Sequence, residues 1–273
     1  MKKQIVFSGG LGNQMFQYVL FRNLKQHGMK CVINIDLFDK VKMHNGFELP
    51  RVFHISEGVV SNNGLIRFLI RFILKFRLRP FLFIEKLYVF NNNIYDSYAF
   101  LYSGNWINEE YLKPLENEIR SFFTFYDIDE KNKELSQRME KEESVSIHIR
   151  RGDYLKYPTL CVCREDYFKR AITYMNTRLN HPKFYVFSDD IEWSTLFMTK
   201  LKVDYEIISH NQGIDSYKDM FLMASCRNNI NSNSTFSWWG AWLNNNKNKI
   251  VISPKVWTTC TNENPACKEW VKM

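Results

Sequence analysis

The stretch "SVSIHIRRGDYL", from Ser144 to Leu155, joins a strand pattern to a cluster of charge. Its valine and isoleucines alternate with serine, histidine and arginine, which is the period-two pattern of a β-strand. Side chains two positions apart on a strand point to the same face, so His148 and Arg150 share one face. A buried strand should have apolar faces, so these two residues are unusual as core residues. The stretch therefore predicts both a buried strand and a candidate binding site at its end.

Strands and helices alternate on both sides of this stretch. Before it, "QIVFS" predicts a strand, "GGLG" a turn and residues 13–27 a helix, with the strand "CVINID" next. After it, the strand-like segments "FYVFS", "YEIIS", "NNINS" and "KIVIS" alternate with helical stretches at Glu165–Leu179, Ile191–Lys200, Ser216–Cys226 and Thr235–Asn244. This alternation is typical of parallel sheets covered by helices on both faces. The aromatic, irregular segment 91–126 stays unassigned.

The charged segment "DEKNKELSQRMEKEES", which ends at Ser144, predicts a solvated helix between two such α/β halves. We place the domain boundary near it. The prediction is an α/β protein with two Rossmann-like domains, residues 1–140 with the glycine turn and residues 141–273 with the arginine motif.

Composition limits the class of protein. The chain has 273 residues, 45% of them hydrophobic, a formal net charge of +8 and a pI of about 9.1, so it is globular and favours anionic partners. Phosphorylated small molecules, anionic lipid and nucleic acid all fit that charge. Six scattered cysteines without a CxxC pair predict reduced thiols. With no signal-peptide pattern and no apolar run near ~20 residues, we expect a cytoplasmic protein.

Polar residues follow several of the predicted strands. "RRGD" follows the first strand of the second half, "SDD" follows "FYVF", and "NSNSTFSWW" follows "NNI". Ligands of open α/β sheets bind beyond the carboxyl ends of the strands. The planar guanidinium of Arg150 suits phosphate oxygens, although Arg150 or Arg151 could instead lock the strand end through Asp153. Ser234 and Thr235 are expected to cap a helix whose first N–H groups can also hold a phosphate.

Two further motifs each allow two interpretations. "GGLGNQ", with Asp36 at the end of the next strand, is similar to a dinucleotide-binding fingerprint, but Met15 replaces its third glycine. Asp127 and Asp129 form an Asp-x-Asp pair that suits a metal, yet the charged helix that follows favours an N-cap.

The segment "LIRFLIRFILKFRLR" predicts an apolar helix with a basic stripe. Arg67, Arg71, Lys75 and Arg79 recur at a spacing of four residues. Such a stripe can rest on anionic lipid, which would make the protein peripheral at the inner membrane. A core helix with a solvated edge explains the pattern as well.

At these motifs the chain resembles the α-1,2-fucosyltransferases of glycosyltransferase family 11. Three stretches carry the resemblance, "GGLGNQMFQY" at Gly9–Tyr18, "HIRRGDY" at His148–Tyr154 and "NSNSTFSWWGAWL" at Asn231–Leu243, and "FSDD" at 187–190 supports it. Together they run through most of the chain. The segment 43–126 matches poorly, so we expect acceptor recognition to diverge there.

The resemblance implies a fold and a reaction. The fold is GT-B, with two Rossmann-like domains facing a cleft and GDP-fucose held by the C-terminal one. The reaction is inverting transfer of L-fucose from GDP-β-L-fucose to the 2-hydroxyl of a terminal galactose, without a metal or other cofactor. The bacterial type works in the cytoplasm on a lipid-linked or free galactose-terminated glycan, such as that of lipopolysaccharide.

The resemblance also implies roles for residues. His148 and Asp189 would read the guanine, Arg150 would hold the β-phosphate, and Asn13 would approach the phosphate and the fucose. The residues lining the diphosphate would be Ser234, Thr235 and Phe236. As a hypothesis, Arg150 stabilises the charge that grows on the leaving GDP. Inversion needs a base for the acceptor hydroxyl. Asp153 is our choice, with Asp36, His44 and Glu48 as alternatives.

Three rival functions remain open at the level of sequence. A GDP-fucose transferase of another linkage would share all of these motifs. A nicotinamide-dependent oxidoreductase would explain "GGLG" and Asp36, but not the arginine pair or the "SWW" segment. A nucleic-acid-binding protein fits the net charge only, because basic and aromatic residues interleave in one segment alone. We therefore expect no nucleic-acid partner.

Overall fold

The computed structural model describes residues 2–38 and 44–273. The chain divides into two compact units, Met1–Tyr126 and Asp127–Met273. Each unit contains one parallel β-sheet. The cysteines are unpaired thiols. No helix in the described ranges is both long and apolar enough to cross a bilayer.

Unit 1 is an α/β layer around a five-stranded parallel sheet. Its strands and helices are β1 (Lys3–Val6), α1 (Leu11–Gln26), β2 (Cys31–Asn34), α2 (Leu49–Phe53), β3 (Val59–Val60), α3 (Gly64–Phe76), β4 (Leu82–Ile84), β5 (Leu101–Ser103) and α4 (Glu116–Phe122). The strand order is β3-β2-β1-β5-β4. The predicted β-turn-α-β beginning is confirmed, and the segment left unassigned contains β5 and α4.

Unit 2 is built around a six-stranded parallel sheet. Its elements are α5 (Glu130–Lys141), β6 (Ser144–Ile149), α6 (Glu165–Asn176), β7 (Lys183–Ser188), α7 (Ile191–Leu201), β8 (Tyr205–Ile208), α8 (Tyr217–Ser225), β9 (Asn228–Ile230), α9 (Thr235–Leu243), β10 (Val251–Ser253) and β11 (Val271–Lys272). The order is β11-β10-β9-β6-β7-β8. The chain thus turns from one side of β6 to the other between β8 and β9, so β6 and β9 flank the point where the winding reverses.

Both faces of the second sheet are buried, as the alternation predicted. Val145, Ile147 and Ile149 of β6 pack with Phe168 and Phe197 of the helices α6 and α7. On the opposite face, Tyr185 and Phe187 of β7 pack with α5 and α8, through Leu135, Met139, Leu222 and Met223. Period-two alternation places Ser144, Ser146 and His148 on this second face.

Helix α5 explains why the observed boundary differs from the one predicted at residues 140/141. Its Leu135 and Met139 are buried in the core of unit 2 beside Tyr185 and Phe187. The helix is charged only on its outward side, so its apolar stripe binds it to the second sheet. The observed units therefore divide before α5, between Tyr126 and Asp127.

Buried amides fix β9 against β6. Asn229 is fully buried, and its amide donates to Ser146 Oγ at 2.8 Å and to the carbonyl of Met223 at 2.8 Å. Asn244 in turn donates to Asn229 Oδ1 at 2.8 Å. A buried amide without partners is costly, so this network favours one register of the two strands over others. It sets where the chain leaves β9 relative to the end of β6.

Candidate active site

The carboxyl ends of β6 and β9 bring two of the sequence motifs together. The pair is parallel, with Ile147 opposite Ile230. Arg150 follows β6 directly, and the segment 231–236 follows β9. Because the winding of the sheet reverses between these strands, this edge is where open α/β sheets bind ligands. Unit 2 therefore has a candidate site at the position that the sequence predicted.

Arg150 forms ion pairs with two carboxylates. Its Nη2 lies 2.8 Å from Asp153 Oδ1, and its Nη1 lies 3.1 Å from Asp189 Oδ2. Its side chain is 27% exposed, and the guanidinium lies 5.6 Å from the ring centroid of Tyr154. The locked strand end that the sequence allowed as an alternative is thus present, with Arg150 and not Arg151 on Asp153.

Asp189 holds the turn that carries both arginines. Its Oδ1 accepts the backbone N–H of Arg151 at 2.8 Å and that of Gly152 at 3.1 Å. A Cβ on Gly152 would lie 2.8 Å from Asp189 Oδ2, so this turn needs a glycine for the close approach of the carboxylate. Asp189 thus binds the turn through Oδ1 and the Arg150 guanidinium through Oδ2, so it positions Arg150.

Arg151 points to a different partner. Its Nε donates to Asp190 Oδ2 at 3.0 Å, and its guanidinium lies 4.0 Å from the ring centroid of Trp193. Asp190 also caps α7 by accepting the N–H of Trp193 at 3.1 Å. The stacked, paired geometry gives Arg151 a structural role. Two arginines face three aspartates here, so the cluster has one more negative than positive charge. An anionic ligand at Arg150 would therefore compete with carboxylates.

His148 is a neutral, buried imidazole. It is 7% exposed, its Nδ1 lies 2.9 Å from Ser232 Oγ, and its ring centroid lies 5.8 Å from that of Phe236. Burial, together with the nearby charge of Arg150, lowers the pKa of His148 to about 3. It can therefore donate or accept a hydrogen bond at neutral pH, but it supplies no positive charge.

The segment after β9 is fixed by its own hydrogen bonds. Ser234 caps α9 by accepting the N–H of Phe236 at 3.3 Å, which confirms the predicted cap, while Thr235 and Phe236 are half-buried. The Asn233 amide donates to the carbonyls of Leu160 and Trp257 at 2.9 and 2.8 Å. The Tyr154 hydroxyl donates to the Asn233 carbonyl at 3.2 Å. The loop before α9 is therefore held in place by hydrogen bonds to other segments of unit 2.

Asn231 and Asn233 are residues whose roles the sequence did not show. The Nδ2 of Asn231 is buried and has no hydrogen-bond partner, while its carbonyl accepts from the Tyr167 hydroxyl at 2.5 Å. Asn233 ties this segment to two other loops. A cluster of asparagines after a strand was the only available signal, and it does not distinguish a ligand donor from a loop anchor.

In unit 1 the glycine turn makes room for Asn13. Gly9 has φ +79°, and a Cβ there would lie 2.4 Å from Asn13 Nδ2. Glycine is therefore required twice over, by backbone conformation and by the neighbouring amide. Gln14 fixes the turn by donating to the carbonyls of Gly9 and Gly46 at 2.9 and 2.8 Å. Asn13 itself is half-buried on the first turn of α1.

Two candidate carboxylates of unit 1, Asp36 and Glu48, have structural partners. Asp36, 2% exposed, accepts from the Asn62 amide at 2.7 Å and lies 3.5 Å from Arg67 Nε. A ribose-binding role for it, as in an oxidoreductase, is not supported by this geometry. Glu48, 3% exposed, lies 2.7 Å from Arg51 Nη2, and burial raises the pKa of its carboxyl. His44 is exposed, with its ring beside Gly10.

The Asp-x-Asp pair is not arranged as a metal site. Asp129 caps α5 by accepting the N–H of Asn132 at 3.1 Å and pairs with Lys218 at 2.9 Å. Although burial opposes the shift, these partners hold the pKa of Asp129 well below its usual range. The cap that the sequence favoured is confirmed. Within residues 2–38 and 44–273, no group of three or more metal-ligating side chains is placed to hold an ion.

A carboxyl with an unusual pKa lies after β8. Asp219, in the first turn of α8, accepts from the Asn211 amide at 2.8 Å, and burial raises its pKa to about 7. Asn211 also donates to Asn132 Oδ1 at 2.9 Å. Sequence patterns did not single out this residue, because its environment depends on helices that are distant in sequence.

Comparison with known proteins identifies the family. The model of "Glycosyl transferase family 11" matches residues 2–273. The chain belongs to glycosyl transferase family 11. An alpha-1,2-colitosyltransferase of Escherichia coli is 32% identical over 285 residues, which cover 97% of each chain. A galactoside alpha-(1,2)-fucosyltransferase 1 of Saimiri sciureus is 30% identical over 141 residues, 47% of this chain and 38% of that protein. The family expected from three motifs is thus confirmed.

The fold of this family 11 chain has a counterpart among solved structures. The crystal structure of the fucosyltransferase NodZ from Bradyrhizobium matches with a TM-score of 0.55 at 14% sequence identity, covering 88% of this chain and 92% of that one. The predicted α/β fold of the GT-B class, with two Rossmann-like domains, is confirmed.

We predict that His148 makes the stability of the protein depend on pH. Its folded pKa of about 3 lies below the ordinary value of 6.5, so below pH 6.5 the unfolded chain binds a proton that the folded chain excludes. Stability is therefore complete above pH 6.5 and falls towards pH 3. Relative to His148→Asn, the wild type should lose up to about 3 kcal/mol of unfolding free energy between pH 7 and 4 in urea titrations. Parallel curves would contradict this assignment.

Proposed function

We propose that this family 11 protein transfers L-fucose from GDP-β-L-fucose to the 2-hydroxyl of a terminal galactose, with inversion. The observation that carries the proposal is Arg150, a cation at the carboxyl end of β6, next to β9 where the winding of the sheet reverses. The α-1,2 linkage in the names of both relatives supports the bond, and the fucosyltransferase among them supports the sugar and the galactoside acceptor. The acceptor would belong to a glycan assembled in the cytoplasm before export.

Donor binding would exchange one carboxylate for a phosphate. Asp153 is 45% exposed, whereas Asp189 is 24% exposed and also binds two backbone N–H groups. Asp153 is therefore the weaker partner. A β-phosphate on Nη2 of Arg150 would displace it and leave Asp189 in place to orient the guanidinium. Ser234, Thr235 and Phe236, at the first turn of α9, would bring backbone N–H groups to the diphosphate.

Arg150 would act mainly on the leaving group. As the bond between fucose and oxygen breaks, negative charge grows on GDP, and a preorganised guanidinium stabilises it more than it stabilises the intact donor. An arginine supplies this charge by itself, so we propose a reaction that needs no metal. Neutral His148 would donate or accept one hydrogen bond to the nucleotide. Asp189, which we expected to read the guanine, is better suited to hold the turn.

Asp153 would become the general base once Arg150 no longer holds it. Its carboxylate would then be free to accept the proton of the acceptor hydroxyl, and it is accessible to a substrate because its side chain is 45% exposed. Asp36 and Glu48 are buried among structural partners, which makes them poor proton acceptors for a substrate. As the family resemblance implies, Asn13 in the glycine turn of unit 1 would approach the phosphate and the fucose.

The substrate assignment is tested by offering both GDP-fucose and GDP-colitose with a panel of β1,3- and β1,4-linked galactosides. Colitose lacks the 3-hydroxyl of fucose, and a site that hydrogen-bonds this group discriminates strongly. We expect at least a tenfold higher kcat/KM for GDP-fucose, an α-1,2 product by NMR and no effect of a chelator. Preference for GDP-colitose would correct the donor, and transfer from neither would overturn the proposal.

We predict that Arg150→Lys lowers kcat by at least a hundredfold with GDP-fucose saturating. A lysine keeps the charge but loses the planar fork that reaches Asp189 and the phosphate together. The matched control is Arg138→Lys, because Arg138 pairs with Glu206 at 2.6 Å on the surface and should keep its kcat. The measurement is steady-state kinetics of both variants. An unchanged kcat in the Arg150 variant would show that Arg150 does not stabilise the leaving group.

We predict that Asp153→Asn lowers kcat at least a hundredfold while it leaves or improves the affinity for GDP. The base is lost, but the competitor for Arg150 is lost as well. Calorimetric GDP titration and kcat measured over pH separate the two effects. A variant with weaker GDP binding and normal turnover would show that Asp153 only supports Arg150.

A further inference from the structure

Helix α3 exposes a continuous apolar face. Residues at spacings of three and four lie on one side of it, and five large side chains there are exposed. These are Leu65, Phe68, Leu69, Phe72 and Phe76, at 79, 68, 52, 44 and 55%. Water-soluble surfaces rarely gather so many large apolar groups in one place, so such a patch marks an interaction site.

The exposed face is not the one that attaches the helix to unit 1. Ile70 and Ile73, on a neighbouring side of the helix, are 2 and 3% exposed and pack with residues of β1, β4 and β5. Asn63 caps the helix by accepting the N–H of Ile66 at 3.0 Å. Helix α3 is thus docked through one apolar side and carries a second that faces away.

The basic residues expected to form one stripe along this helix point in two directions, some towards the protein and some towards solvent. Arg67 and Arg71 turn inward, where Arg67 Nε lies 3.5 Å from Asp36 and Arg71 donates to the Asp36 carbonyl at 3.2 Å. Lys75, Arg77 and Arg79 are exposed. They lie at and just beyond the end of the helix. Lys75 Nζ is 5.5 Å from the ring centroid of Phe76, and both Phe76 and the following Phe81 are exposed.

Charge in this region has one sign. Between Glu57 and Glu85 the sequence contains five arginines and lysines and no aspartate or glutamate. An apolar face bordered by cations matches the boundary between acyl chains and anionic headgroups. Long basic side chains can extend their charge to the headgroups while their stems stay in apolar surroundings.

We propose that the outer face of α3, together with Lys75, Arg77 and Arg79, binds the surface of a membrane containing anionic phospholipid. The five apolar side chains enter the headgroup boundary, and the three cations pair with lipid phosphates. This surface is separate from the residues of the transfer reaction, so its function stands or fails independently of the proposed activity.

Other occupants fit the surface less well. A second copy of the chain would bring two sets of exposed cations together without acidic partners from this segment. A nucleic acid would match the charge but offer little to bury the leucine and phenylalanine side chains. Anionic lipid can both bury the apolar side chains and pair with the cations.

The test is co-sedimentation of the full chain with vesicles of phosphatidylcholine alone and with phosphatidylglycerol added. We expect at least tenfold stronger binding to the anionic vesicles. The double variant Phe68→Ser with Phe72→Ser should lose at least tenfold of that binding. The triple variant Lys75→Gln, Arg77→Gln and Arg79→Gln should lose it and its salt dependence, since each cation contributes roughly fivefold.

Matched control variants remove exposed apolar side chains and exposed cations from unit 2 instead of from helix α3 and the residues after it. Leu196→Ser with Ile214→Ser replaces side chains that are 59 and 62% exposed in unit 2, and Lys202→Gln, Lys247→Gln and Lys255→Gln removes three exposed cations. Both controls should bind like the wild type, and all variants should retain transfer to a water-soluble acceptor. Equal binding to both vesicles, or equal loss in the controls, would overturn the proposal. A dimer that only the Phe68 and Phe72 variant dissociates, without vesicle binding, would assign the face to self-association instead.

Discussion

The carboxylate of Asp189 decides where Arg150 stands. It accepts the N–H groups of Arg151 and Gly152 through one oxygen and pairs with the Arg150 guanidinium through the other. Arg150 is the first residue beyond a fully buried strand, so its side chain would otherwise have many rotamers at the sheet edge. The absence of a side chain on Gly152 allows this approach. A guanidinium held on a rigid base loses little entropy when a ligand arrives, which is the condition for electrostatic preorganisation.

A buried polar network gives the second half of the site its position. Ser146 and Asn229 link β6 to β9, and Ser232 contacts His148 where the two strands end. Asn233 then fastens the following loop to the carbonyls of Leu160 and Trp257. Amides in such a network fit only one arrangement of the strands, so the same contacts that order the sheet also order the loop before α9.

Local patterns in the sequence were sufficient for much of the fold. Alternation predicted β6 and its neighbours, and Gly28 and Ser234 marked a helix end and a helix start within a few residues. Such local patterns do not predict which side chains pair when the residues are far apart in the sequence. Whether Arg150 or Arg151 meets Asp153 depends on Asp189 and Asp190, which lie almost forty residues away. The same limit hid the inward turn of Arg67 and Arg71, since the phase of a helix against its sheet is set by tertiary packing.

The two carboxylates on Arg150 would compete with any anion that binds there. Inorganic phosphate would gain little by this exchange, because it would only substitute one contact with the guanidinium for another. In the proposed reaction, a nucleoside diphosphate sugar would replace that contact while its other groups reached the start of α9 and the imidazole of His148. Selectivity among the many anions of a cell would then depend less on the strength of one contact than on the number of contacts that a single ligand makes at once.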